Sequence, residues 1–238
     1  MEDNHIIIIQ GLTKRYPMGS GSFTALNGIS LTFSKGEFTG IVGPSGSGKT
    51  TLLNILGSLD SPTEGEARVL GHSVGKLSAL EAARLRRAKL GFIFQSYNLL
   101  PVYTVFENVE FPLLLLNFTA QERKKMVNDS LEWLGLSDKS RSKPSQLSGG
   151  ECQRVSIARA MVKKPEIILA DEPTANLDAA NSHNILQTMK RLNSEFNTTF
   201  IFATHDEKVI GYLNRKITLA DGRVADDETL VKSSNLKV

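Results

Sequence analysis

Leu147-Ser148-Gly149-Gly150-Glu151 sets a hydroxyl and two adjacent glycines before a helix-compatible run, Cys152 to Lys164. Glycines let backbone N–H groups approach an anion closely, and a helix start adds the positive end of its dipole. A second stretch of the same chemical kind lies upstream. Gly43-Pro44-Ser45-Gly46-Ser47-Gly48-Lys49-Thr50 matches G-x-x-x-x-G-K-[ST] throughout. In such a loop the N–H groups from Ser45 to Thr50 wrap phosphates, Lys49 reaches the β and γ oxygens and Thr50 ligates Mg²⁺. One nucleoside triphosphate needs one such loop beneath it. The second device therefore asks for a second nucleotide or a second copy of the chain.

Ile167-Ile168-Leu169-Ala170-Asp171-Glu172 ends an apolar run on two carboxylates. Alone, that pair reads as a solvated acidic turn. Beside an intact phosphate loop it reads as a metal-holding aspartate, Asp171, followed by Glu172, which can orient or deprotonate an attacking water.

The elements that must position these groups are legible in outline. Ile6 to Gln10 and Ala25 to Phe33 read as strands, with a flexible turn at Gly19-Ser20-Gly21-Ser22. Phe38 to Val42 is a strand running into the phosphate loop, and Thr51 to Ser58 is helical, which is the context that the motif requires. Ser78 with Glu81 predicts a capping box for a helix through Arg87. Gly91 to Phe94 is a short strand ending at Gln95. From Thr104 to about Leu134 the pattern is helical, broken at Pro112. Pro165 ends the helix after Glu151, and Ile167 to Ala170 is a buried strand. Thr199 to Ala203 is another, leading to Thr204-His205-Asp206, and Asp221-Gly222 turns between two late strands.

Composition narrows the function classes. The chain has 238 residues, 40% of them hydrophobic and 22% charged, enough for one domain with a real core. A net charge of +3 lacks the concentrated basic face that nucleic acid demands, so no nucleic-acid partner is expected. Cys152 is the only cysteine, which excludes an intrachain disulfide and suits a reducing compartment. Met1-Glu2-Asp3-Asn4-His5 is acidic and leads into only four isoleucines, unlike a signal peptide. The apolar run Phe111 to Phe118 is broken by Pro112 and is far below the roughly 20 residues of a membrane span. If the chain works at a membrane, a partner supplies the spanning part.

Taken together, the two glycine motifs and the strand-end acids resemble the nucleotide-binding subunit of an ABC transporter, with the motifs in the family's order over nearly the whole chain. The resemblance implies an α/β fold: a P-loop NTPase core with an N-terminal antiparallel β subdomain and an inserted α-helical subdomain. It implies a single domain over 1–238, with 1–77 and 148–238 forming the core and 78–147 the helical part. It implies an ATPase that uses ATP and Mg²⁺. Tyr16 matches the aromatic residue that stacks on adenine, and Gln95 the glutamine that contacts Mg²⁺ and senses a membrane partner. Asp178, in Asn176-Leu177-Asp178, matches the loop linking two copies, and His205 the histidine at the γ-phosphate. The implied nucleotide contacts are Tyr16, Gly43 to Thr51, Gln95, Ser148 to Glu151 and Asp178. Glu172, His205 and Lys49 would be catalytic, and Thr50, Gln95 and Asp171 would hold the metal.

In that family two copies face head to tail, and each ATP lies between one copy's phosphate loop and the other's Ser148-Gly149-Gly150 equivalent. Gly91 to Leu100 and Asp171 to Asp178 are similar to the ATPases of macrolide-exporter and lipoprotein-release systems. This implies an integral membrane permease partner and a cytoplasmic place on the inner membrane's inner face. The alternative is the related cell-division ATPase, which switches a membrane partner without transport. Tyr97, Leu99, Leu100, Val102, Tyr103 and Val105 read either as a docking groove for a permease helix or, one by one, as core residues. Cys152 stands in the first turn of its helix, where a thiol pKa can be lowered; the other reading is an inert small filler.

Overall fold

The computed structural model describes residues 4–19 and 21–230. Ser20, in the expected first turn, and Met1 to Asp3 of the N-terminal reading lie outside the described residues.

Two sheets form the frame. β1 (His5–Met18) pairs antiparallel with β2 (Gly21–Ser34) and with β4 (Glu64–Val69), and β5 (His72–Ser73) completes a four-stranded sheet in the order β2-β1-β4-β5. β1 and β2 extend well beyond the expected apolar runs because cross-strand pairing recruits polar residues; Tyr16 faces Phe23 across the ladder. The second sheet has six strands. β3 (Phe38–Val42), β6 (Leu90–Ile93), β7 (Ile167–Asp171), β8 (Thr199–Thr204), β9 (Arg215–Ala220) and β10 (Arg223–Thr229) lie in the order β10-β9-β3-β8-β7-β6, parallel except for the last hairpin. Every residue of β3 and β8 is buried, as strands covered on both faces must be.

Period-two alternation splits these strands between two cores. Ile167, Leu169, Ile201 and Ala203 face the antiparallel sheet, packing with Ile7, Leu26, Ile29 and Phe33 around α1 (Lys49–Leu56). Ile168, Ala170, Phe200 and Phe202 face the other way. There they meet Val155 and Ile157 of α5 (Gly149–Met161) and Ile185, Leu186 and Met189 of α6 (Ala179–Phe196), which follow α2 (Ala79–Lys89), α3 (Val105–Glu110) and α4 (Ala120–Trp133) along the chain. A short α7 (Glu207–Ile210) follows β8.

The capping box at Ser78 and Glu81 is present, and Thr104 with Glu107 and Thr119 with Glu122 cap α3 and α4 in the same way. Pro112 falls in a 3₁₀ turn, Phe111–Leu115, which replaces the middle of the expected helical stretch. α6, β4 and β5 were not anticipated. Asp178 as N-cap, followed by Ile185, Leu186, Met189 and Leu192 at helical spacing, is the signal that would have found α6.

Candidate functional site

The parallel register brings the carboxyl ends of four strands, β3, β8, β7 and β6, side by side. Val42 pairs with Thr204, Asp171 with Ala203, and Ile93 with Ala170. The segments leaving those ends therefore converge at one edge, where open α/β sheets hold ligands. A cleft of about 390 Å³ there is lined by Ser45, Gly46, Gly48 to Thr51, Gln95, Asp171, Glu172 and His205, with Phe23 and Ala25 from β2.

The phosphate loop has little steric freedom. Gly43 (φ 151°) leaves no room for a Cβ beside the Leu219 carbonyl, and a Cβ on Gly48 (φ 101°) would stand 2.6 Å from the Ala25 carbonyl. Lys49 is 7% exposed, and its ammonium donates to the Gly43 and Pro44 carbonyls at 2.8 and 2.9 Å. The Ser47 hydroxyl is buried without a hydrogen-bond partner. A concave loop holding a cation and an orphaned hydroxyl suits an anion.

Thr50 Oγ1 lies 3.1 and 3.3 Å from the two carboxylate oxygens of Asp171. Burial, with the nearby Glu172 charge, pushes the Asp171 carboxyl above its ordinary pKa; the Thr50 bond and Lys49 oppose this. A desolvated carboxylate beside a hydroxyl is a hard-oxygen donor pair of the kind Mg²⁺ takes, so these residues fit that ion. Glu172 is half-buried in a left-handed conformation (φ 45°), and its N–H donates to the Ala203 carbonyl. Its carboxylate accepts from Thr204 Oγ1 at 2.9 Å and stands 2.5 Å from His205 Nδ1. Thus Asp171 turns to the loop while Glu172, one residue on, is oriented by β8.

Other expected contacts lie elsewhere. Ser148 to Glu151 do not line this cleft. Ser148 is the N-cap of α5: its Oγ accepts from the Glu151 N–H, and the Glu151 carboxylate accepts from the Ser148 N–H. Glu151 also pairs with Lys139 at 3.5 Å. The box occupies the end N–H groups and leaves those of Gly149 and Gly150 at the helix start. Asp178 caps α6 through the Asn181 N–H at 2.8 Å. The Tyr16 hydroxyl donates to Asp60 at 2.7 Å and also meets Thr51, while Lys14 stands 4.8 Å over the Tyr16 ring. Phe23, 51% exposed and a cleft-lining residue, was missed; its pairing opposite Tyr16 across a hairpin was the only signal.

Two expectations are corrected. Burial and the Glu151 charge raise the Cys152 thiol pKa instead of lowering it, outweighing the helix dipole in its first turn. Val105 is fully buried in the core and offers no docking face, Leu99 is half-buried against that core, and Val102 and Tyr103 are exposed. A separate cleft of about 480 Å³ opens near them, its apolar lining including Leu59, Phe92, Phe94, Phe111 and Leu115. Its lining also includes Arg87, Arg159 and Lys163, whose ammonium donates to the Arg86 and Arg87 carbonyls and whose pKa burial lowers to about 8. No described helix is long and apolar enough to cross a membrane.

Against known proteins, the family model described as ABC transporter matches residues 26–175. The macrolide export ATP-binding/permease protein MacB 1/2 of Paracoccus denitrificans is 45% identical over 93% of this chain, which spans 33% of that relative. The lipoprotein-releasing system ATP-binding protein LolD of Pseudoalteromonas translucida is 44% identical over 94% of this chain and 97% of its own length. The ABC transporter ATP-binding protein MJ0796 of Methanocaldococcus jannaschii is 44% identical with the same coverage. The dimeric post-hydrolysis structure of that cassette, bound to ADP and Pi, superposes with a TM-score of 0.87 at 43% identity, covering 94% of this chain and 99% of the other.

Proposed function

The chain belongs to the ABC transporter family, and from that premise we propose that it is the ATPase of a macrolide-exporter or lipoprotein-release type of machine, working as a pair of copies on the inner face of the inner membrane. Similarity to MacB and LolD along almost the whole chain supports this choice within the family. The chain spans about a third of MacB, so the membrane-spanning permease is a separate partner or a further segment.

Nucleotide phosphates lie on Ser45 to Thr50, with Lys49 leaving the Gly43 and Pro44 carbonyls for the β and γ oxygens. Tyr16 receives adenine. Thr50, Asp171 and Gln95 would hold Mg²⁺, which would neutralise phosphate charge there. Glu172 accepts the proton of the attacking water, a task supported by its rigid suspension between Thr204 and His205. His205, 70% exposed, reaches the γ-phosphate by giving up its bond to Glu172, whose other carboxylate oxygen stays held by Thr204. The second copy's Ser148, Gly149, Gly150 and Glu151 close over the same nucleotide, and its Asp178 segment abuts them. The core over 1–77 and 148–238 and the helical part over 78–147 then move as two bodies, with the apolar cleft between α2, β6 and the Phe111–Leu115 turn receiving a permease helix.

The observation that carries this reading is the separation of the two anion-binding devices: Lys49, Thr50, Gln95, Asp171, Glu172 and His205 share one cleft, and the capped start of α5 stands outside it. Glu172→Gln is the decisive variant. Hydrolysis should fall by about 10²–10⁴-fold with ATP binding retained. Hydrolysis at the native rate would refute the role of Glu172.

A further inference from the structure

We propose that Arg159 is a positioning residue for hydrolysis, acting through the loop that presents Gln95 to the phosphate cleft; this rests on the role of Gln95 given above. The loop leaves β6 and reaches its tightest point at Tyr97 (φ 60°) and Asn98 (φ 50°), two successive non-glycine residues in the left-handed region. Asparagine visits that region with some ease, and tyrosine does not, so the pair persists only where its surroundings impose it.

Arg159, near the end of α5, supplies that restraint. Its Nη2 donates to the Tyr97 carbonyl at 2.7 Å and its Nη1 to the Asn98 carbonyl at 2.6 Å. One planar fork thus holds two consecutive carbonyls, a geometry that lysine cannot reproduce. Among the described residues no carboxylate lies within ion-pair distance of this guanidinium, although it is half-buried. Its hydrogen bonding is spent on this loop, where an ordinary structural arginine would take an acid. Burial without a counter-ion depresses its pKa, consistent with a desolvated cation serving backbone oxygens.

The same loop lies close to α5 at a second point and is held at a third. A Cβ on Gly149, at the opposite end of α5, would stand 3.2 Å from the Tyr97 hydroxyl. The Gln95 carbonyl accepts from Asn176 Nδ2 at 2.9 Å, in the segment leading to α6. α5 therefore touches the loop near both its ends, and any tilt of that helix reaches the Gln95 backbone through the Arg159 fork. Arg159 and Asn98 also line the apolar cleft, so the fork joins that surface to the phosphate site.

A double-mutant cycle on the purified full chain tests this, reading steady-state Mg-ATP hydrolysis and thermal unfolding together. Arg159→Ala should lower kcat by about tenfold while KM for ATP moves less than about twofold. Gln95→Ala should also slow the reaction, and adding Arg159→Ala to it should cost nothing further, because the effect travels through Gln95. Arg159→Lys should fall between the native chain and Arg159→Ala, and it carries the cycle if the alanine variant fails to fold. An equal loss from the Arg159 change in both backgrounds, or a loss in KM alone, overturns the proposal. Gln95→Ala hydrolysing at the native rate overturns the role of Gln95 itself, a distinct outcome.

Discussion

Asp171 shows how one side chain serves function against stability. Its raised pKa means that the folded environment disfavours the charged form, through burial first and Glu172 second. For a carboxylate with a raised folded pKa, the penalty is present when the group is ionised and is relieved as pH falls through the folded value. Asp171→Asn should therefore raise the metal-free Tm at pH 7.5 by a few degrees at most, and the gap to the native chain should close as pH is lowered. The same variant should lose Mg²⁺-dependent ATP binding, measured by titrating nucleotide with and without the ion. A lower Tm at pH 7.5 would contradict this account of Asp171. The neighbouring residue illustrates the complementary device. Glu172 is half-buried yet tethered at both carboxylate oxygens, so its orientation is set before any ligand arrives.

Among the elements, α5 bears the most varied duties. Its start is a capping box, its first turn leaves the Gly149 and Gly150 N–H groups without an intrahelical acceptor, and its far end holds the Gln95 loop. Ser148 therefore has a structural role that is separable from any contact across a dimer. Ser148→Ala removes the side-chain acceptor for the Glu151 N–H and should cost about 1 kcal/mol of stability. That corresponds to roughly 2–4 °C in Tm for a chain of this size, readable by calorimetry. An unchanged Tm would mean that water takes over as the acceptor for the Glu151 N–H. The Cys152 correction belongs here too: the helix start that favours an anion on its axis is outweighed, for a half-buried thiol beside Glu151, by burial and charge.

At the scale of the molecule, the two anion-binding motifs occupy different surfaces, which is the geometry of half a site in each copy. A bulky cation at the start of α5 should then harm assembly and spare the monomer. In the Glu172→Gln background, ATP should convert the chain to a dimer on size-exclusion chromatography. Adding Ser148→Arg should abolish that shift, with monomer affinity for ATP within about twofold of its starting value. A dimer that survives Ser148→Arg would place the closing surface elsewhere.

The local devices were legible in the amino-acid order because each depends on a few neighbouring residues. Gly43 and Gly48 meet steric demands that only glycine satisfies, the Ser78–Glu81 and Ser148–Glu151 spacings write their own caps, and apolar runs mark β3, β7 and β8. Motif resemblance added Gln95 and His205, which spacing alone would have left as an exposed glutamine and histidine. What the sequence could not disclose depends on pairing between distant segments. The parallel register of β6, β7, β8 and β3 decides that Gln95, Asp171 and His205 converge on the phosphate loop. The β1–β2 hairpin decides that Phe23 lines the cleft, and the packing of α5 on the loop after β6 decides that Arg159 finds Tyr97 and Asn98. Sequence thus determined which chemical devices the chain carries. Tertiary structure alone decided which of them meet, because long-range register and helix packing, unlike a turn or a cap, are set by the whole buried core at once.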